Sequence, residues 1–177
     1  MEIVLEYLSP ENWPRPKGWT VVGRVGTLAL AFDPARQPFL IGDGEPHPLD
    51  PVEVNAALAP AVDAAADRLW PGGWMPSFAE AFAVDKRSLS ASRLARQGLP
   101  PAVLFALAHT SYSHAPTALG ALLLALARYT DQVSAGSHFD EQIEETMHEA
   151  RNASEILRYA RRGKPVFPER QKGLVKE

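Results

Sequence analysis

Cysteine is absent from the 177 residues of this chain. Disulfides, zinc sites built on thiolates and cysteine nucleophiles are therefore excluded. Long hydrophobic runs are also missing: the longest, "LGALLLALA" at 119–127, falls far short of the roughly 20 apolar residues that a membrane-spanning helix needs. The N-terminal "MEIVLEYLSPENW" carries an acidic residue at once and lacks the pattern of a secretion signal. We therefore expect a soluble, cytoplasmic protein that does not bind a membrane.

An excess of positive charge is lacking as well. The formal net charge is −3, which argues against a protein that coats nucleic acid by charge alone. The charge is distributed unevenly, however. Residues 131–149 are acidic, whereas 151–176 are rich in Lys and Arg. Local electric fields therefore matter more in this chain than the total charge.

The N-terminal part of the chain has the composition of β-strands. Four short runs rich in β-branched and aromatic residues are separated by Pro and Gly: "EIVLEYL", "WTVVGRV", "TLALAF" and "PFLIGD". The last two predict a hairpin with the loop "DPARQ". Because proline cannot donate a ladder hydrogen bond, the strand that contains Pro38 is expected at an edge of the sheet.

Helices follow the segment "GEPHPLDP". Asp50 is a good N-cap and Pro51 suits the first helical position, so a helix is predicted from there to Trp70, with a kink or a break at Pro60. Further helices are predicted over about 76–83, 86–96, 100–111, 115–130 and 138–162. The fold class is therefore α+β, in which a small antiparallel β element precedes a mainly helical body. Its expected parts are a β-rich element (1–48), a helical domain (49–131), a long amphipathic helix (132–163) and a basic extended tail (164–177).

Two of these helices are predicted to form a helix-turn-helix over about 76–97. Ser77 and Glu80 have the spacing of a capping box, and Asp85 is a second N-cap soon afterwards, so only a three- or four-residue turn separates the helices. In such a motif the second helix presents its N-terminal residues to the base edges of DNA. Lys86, Arg87 and Ser90 would face the major groove, and Arg93 and Arg96 would reach phosphates. The complete set of predicted DNA-binding residues is Ser77, Lys86, Arg87, Ser88, Ser90, Arg93 and Arg96.

The stretch "RLWPGGWMPSFAEAFAVDKRSLSASRLARQGLPPAV" resembles the phage-repressor (Cro/Xre-like) helix-turn-helix family over about 63–104. The matching positions are Trp74, Ala79, Val84, Asp85, Leu89 and the pair Pro100-Pro101. The resemblance implies a DNA-binding fold. Two positions depart from the family pattern: Ala83 replaces a turn glycine that accepts a positive φ, and Ser92 replaces an aromatic core residue. Ala91 and Leu94 would point outward, where neither side chain can hydrogen-bond a base.

Two functions remain open at this point. The first is a sequence-specific DNA-binding regulator of phage, plasmid or mobile-element type. The second is a mobile-element-encoded inhibitor or adaptor, which uses the same scaffold to block a host nucleic-acid machine and contacts it through the acidic 131–149 segment or the β-rich N-terminus. Enzymatic activity is not expected, because no convergent acid, base and nucleophile can be assembled. Glu145 and His148 have a metal-ligand spacing, but a di-iron bundle needs a second such motif, so neither a metal nor a cofactor is expected.

An apolar stripe marks the last predicted helix. Ile143, Met147, Ala150 and Leu157, with Ser154 between the last two, follow a four-three spacing. Such a stripe can pair with its symmetry mate in a homodimer, or it can lie on the core of its own domain. A dimer would suit a DNA-binding protein, since each half-site adds its own contacts.

Overall fold

A computed structural model describes residues 1–9, 12–13, 15–132 and 139–162. The chain has the α+β fold predicted from its sequence. A five-stranded antiparallel sheet, with the strands in chain order, precedes the helices. The strands are β1 (Val4–Leu5), β2 (Thr20–Val25), β3 (Leu28–Phe32), β4 (Pro38–Ile41) and β5 (His47–Pro48). The helices are α1 (Pro51–Leu69), α2 (Met75–Ala81), a 3-10 helix (Lys86–Leu89), α3 (Ala91–Gln97), α4 (Pro101–Ser111), α5 (Pro116–Gln132) and α6 (Phe139–Arg161).

The sheet confirms the predicted hairpin and corrects the predicted edge. β3 and β4 pair antiparallel around residues 33–37, with Phe32 opposite Pro38. The strand of Pro38 is not at the edge, however, because β5 pairs with its other side. Proline is tolerated here because it is the first residue of its strand. Only its carbonyl is used, and it accepts a hydrogen bond from the Leu49 N–H at 2.9 Å.

The first helix, α1, begins where the sequence predicted, and it is not split at Pro60. The Asp50 side chain accepts a hydrogen bond from the Val52 N–H at 2.9 Å, as expected of an N-cap. The helix then continues through Pro60 to Leu69. One missing backbone donor does not break it, because its buried face packs into the core on both sides of the proline, through Val54, Leu58, Val62, Ala66 and Leu69.

The sheet and the helices share one hydrophobic core. Alternate residues of β3 point to opposite faces, so Leu30 and Phe32 join the cluster formed with the helices, while Ala29 and Ala31 belong to a smaller cluster on the other face. The large cluster also contains Val22 from β2, and Leu104 and Leu107 from α4. α5 is attached to the end of α1, where the Trp70 Nε1–H donates to the Gly120 carbonyl at 3.1 Å.

The chain divides into two units, Met1–Tyr129 and Thr130–Glu177. The first contains the sheet, the shared core and the candidate site, and the second contains α6. The basic tail predicted at 164–177 lies outside the described residues, as do positions 133–138 of the acidic segment. Within the described ranges, no helix is long and apolar enough to cross a membrane.

Candidate nucleic-acid interface

The site begins at Trp74, which anchors α2 to α1. Its side chain is buried, its Nε1–H donates to the Asp63 carboxylate at 2.7 Å, and its ring lies 5.4 Å from that of Phe78. The Trp74 carbonyl accepts the Phe78 N–H at 2.8 Å, so this residue also opens the helix. Asp63 was not recognised as part of the site from the sequence, because nothing local relates it to Trp74.

The predicted capping box is wrong. Ser77 does not cap a helix but lies inside α2, whose N-cap position is Trp74 and has no side-chain cap. Pro76 in the first turn starts the helix earlier than the serine does. Glu80, the other half of the box, instead accepts two hydrogen bonds from Arg128 of α5, at 2.6 and 3.2 Å. The hydrogen bond from Arg128 lowers the pKa of the exposed Glu80 carboxyl.

The turn after α2 is a Schellman motif. The Val84 N–H donates to the Ala79 carbonyl at 3.0 Å and the Ala83 N–H to the Glu80 carbonyl at 3.4 Å, which closes the C-terminus of the helix. Ala83 has a φ of 51°, in the region where glycine is normally found. Val84 then packs against the core. The chain thus makes the turn that the sequence predicted, with alanine in the glycine position.

The second helix of the motif starts as predicted but is not continuous. The Asp85 carboxylate caps it by accepting the Arg87 N–H at 2.9 Å. The predicted helix over 86–96 is nevertheless wrong: Lys86–Leu89 forms a 3-10 helix, Ser90 is extended with φ −65° and ψ 143°, and α3 begins only at Ala91.

Burial explains this break. Leu89 and Leu94 are both buried in the core. At about 100° per residue, two positions five apart would differ by roughly 140° on one α-helix, so a continuous helix would need an unusually wide buried face to hold both. The extended Ser90 rotates the chain between them. The buried residue of α3 is consequently Leu94, while Ser92 is exposed, so the predicted outward position of Leu94 and the core position of Ser92 are wrong.

Four cations lie on these two segments. Lys86 and Arg87 are on the 3-10 helix, Arg93 and Arg96 are on α3, and all four are exposed. Within the described ranges none of them takes part in an ion pair. Asp and Glu are absent from the sequence between 86 and 130, so Asp85, which caps the 3-10 helix, is the acidic residue nearest to these cations along the chain.

The predicted serines are placed differently from one another. Ser88 and Ser90 are half-buried, and the Ser88 hydroxyl is already engaged, since it donates to the Asp85 carbonyl at 2.6 Å. The Ser90 carbonyl accepts the N–H groups of Arg93 and Leu94, both at 2.9 Å. Ser77 lies apart from these residues in sequence, on α2. The structure therefore groups Lys86, Arg87 and Ser88 on one turn and leaves Ser77 outside it.

The predicted dimerisation stripe on α6 is accessible. Met147 and Leu157 are 43% and 56% exposed, Ala150 is exposed, and Ile143 is half-buried. In the part of the chain that the structure describes, no group of His, Asp and Glu side chains could hold a metal ion.

In comparisons with known proteins, no protein-family model, no curated protein and no solved structure matches this chain.

Proposed function

We propose that this chain is a sequence-specific DNA-binding regulator of phage, plasmid or mobile-element type, and that residues 85–97 carry the contact. The observation that supports this proposal is a set of four exposed cations, Lys86, Arg87, Arg93 and Arg96, which follow the closed turn at Ala83. Among the described residues, these cations form no ion pair. Exposed cations on a segment anchored in the core by Leu89 and Leu94 can bind phosphate, and binding releases counterions from the DNA.

The two segments have different roles in this proposal. Lys86 and Arg87 stand at the start of the second part of the motif, where side chains reach base edges in the major groove. Arg93 and Arg96 are three residues apart on α3 and share its exposed side, so they bind the backbone phosphates. Ser90 sets the angle between the two segments and is a positioning residue.

The test removes two charges and asks whether binding is lost. Lys86→Ala with Arg87→Ala should abolish binding to a duplex selected from a random pool, while circular dichroism stays unchanged. Lys17→Ala with Arg36→Ala is the matched control, because it removes the same charge from exposed positions in the N-terminal β-rich part. If selection at moderate salt recovers no preferred duplex, sequence-specific regulation is rejected. Equal loss in both variants would show that only net charge matters.

One observation favours a second candidate, the inhibitor or adaptor of a host nucleic-acid machine. The break at Ser90 leaves Lys86 and Arg87 on a 3-10 helix of four residues, and α3 itself has seven. Neither segment is long for a helix that reads the major groove, and both could equally contact the surface of a protein. Stoichiometric capture of one host protein that survives nuclease treatment, without a preferred duplex, would support this function over the first.

A further inference from the structure

The charges of α6 are separated along its length. From Asp140 to Glu149 the helix carries five acidic residues and neither Lys nor Arg. From Arg151 to Arg162 the chain carries four arginines and one acid, Glu155. The arrangement complements the helix dipole, but that effect is confined to the first and last turns. Here the two halves have opposite net charge.

The exposed apolar stripe runs through both halves. Met147 belongs to the acidic half and Leu157 to the basic half, and Ala150 and Ser154 lie between them on the same side of the helix. Apolar residues at alternating spacings of four and three are the pattern through which two helices pack side by side. The stripe from Ile143 to Leu157 covers about two heptads of the 23-residue helix.

We propose that α6 pairs with α6 of a second copy of this chain, and that the two helices run antiparallel. Parallel pairing would set acids against acids and arginines against arginines. Antiparallel pairing sets each acidic half against a basic half, so the charges specify both the partner and its direction. The complementarity is a property of α6 alone, so the proposal does not rest on DNA binding.

The spacing allows more than one antiparallel register, and the proposal commits to one of them. With the two-fold axis level with Asn152, Met147 faces Leu157 of the second copy, and Ala150 faces its Ser154. The small side chains at the centre let the helices approach closely, and the larger ones fill the space on either side. Glu144 of each copy then lies beside Arg158 of the other, and symmetry repeats this contact. Among the described residues, neither side chain has an ion pair within its own chain.

Mass measurement tests whether the pair forms. Light scattering of the full chain should give twice the chain mass at micromolar concentration, and Met147→Glu should return it to a monomer, because a charge would enter an apolar contact. Tyr159→Glu is the matched control: it adds the same charge on the side of α6 away from the stripe and should leave the dimer intact. A monomer at all accessible concentrations, or equal effects of both variants, would overturn the proposal.

Engineered cysteines test the direction, and the absence of native cysteine makes the result clean. In the antiparallel register, a Met147→Cys chain mixed with a Leu157→Cys chain should form a disulfide-linked dimer under mild oxidation, while each chain alone should not. Ready cross-linking of Met147→Cys with itself would show a parallel pair and contradict the proposal. No cross-link in any mixture, from a protein that is still dimeric, would place the interface elsewhere.

A charge exchange tests the register independently. Glu144→Arg or Arg158→Glu alone should weaken the dimer about tenfold, since each places like charges together twice. The two substitutions combined should restore the affinity of the parent chain. Additive weakening in the double variant would show that these side chains are not neighbours.

Discussion

Ala83 carries a conformational cost that a single substitution can measure. An L-residue in the left-handed region is destabilised by about 1–2 kcal/mol, whereas glycine adopts this conformation freely. Glycine also gains freedom in the unfolded chain, which offsets about 0.4–1 kcal/mol of that relief. We therefore expect Ala83→Gly to stabilise the protein by about 0.5–1 kcal/mol in urea unfolding.

The matched control lies in a regular helix. Ala125 is exposed within α5, so Ala125→Gly brings the entropic cost of glycine without relief of strain. It should destabilise by about 0.5–1 kcal/mol. If Ala83→Gly destabilises by a similar amount, the turn does not hold a positive φ in solution, and the Schellman geometry is wrong.

The local conformation of single residues was partly predictable from the sequence. The N-caps Asp50 and Asp85 were recognised because a cap bonds a backbone N–H two residues away, within its own segment. Gly98 was not recognised as a constrained position. It ends α3 with a φ of 64°, and a Cβ there would collide with the Asn55 side chain of α1. That neighbour is known only once the two helices are packed.

Among the elements, the break inside the second helix has the clearest energetic consequence. If Leu94 and not Ser92 faces the core, Leu94→Ala should destabilise the protein by about 2–5 kcal/mol. Ser92→Ala, on the exposed side of the same helix, should change stability by no more than about 0.5 kcal/mol. Chemical denaturation of both variants measures the difference. A larger effect at Ser92 would contradict the break and would support the continuous helix predicted over 86–96.

The break at Ser90 also shows which element boundaries could be predicted from the sequence and which could not. Most helix ends were predicted to within a residue or two, because caps, prolines and glycines act locally. The extended Ser90 is imposed by the requirement that Leu89 and Leu94 reach the same core. β5 was missed for a similar reason, since "HP" has no strand pattern and is defined only by its pairing with Phe39 and Leu40.

In the molecule as a whole, the sheet and the helices depend on each other. The sequence suggested a β-rich element followed by a separate helical domain, because composition changes sharply near residue 48. Periodicity shows that a strand has an apolar face, but it does not show what covers that face. In the structure, Leu30 of β3 and Leu104 of α4 are fully buried in one cluster. Neither part has a complete core without the other.

A substitution in the sheet should therefore be measurable in a helix. Leu30→Ala removes a buried side chain and should cost about 2–5 kcal/mol. Because β3 and α4 share one core, hydrogen exchange should show the slowest amides of α4 losing protection by the same free energy as those of β3. Leu122→Ala, at a position that is 45% exposed, is the control and should leave both elements unchanged. Loss of protection confined to the sheet would mean that the β element unfolds independently. The structure of the candidate site on the 3-10 helix and α3 would then depend on the packing of the helices and not on the sheet.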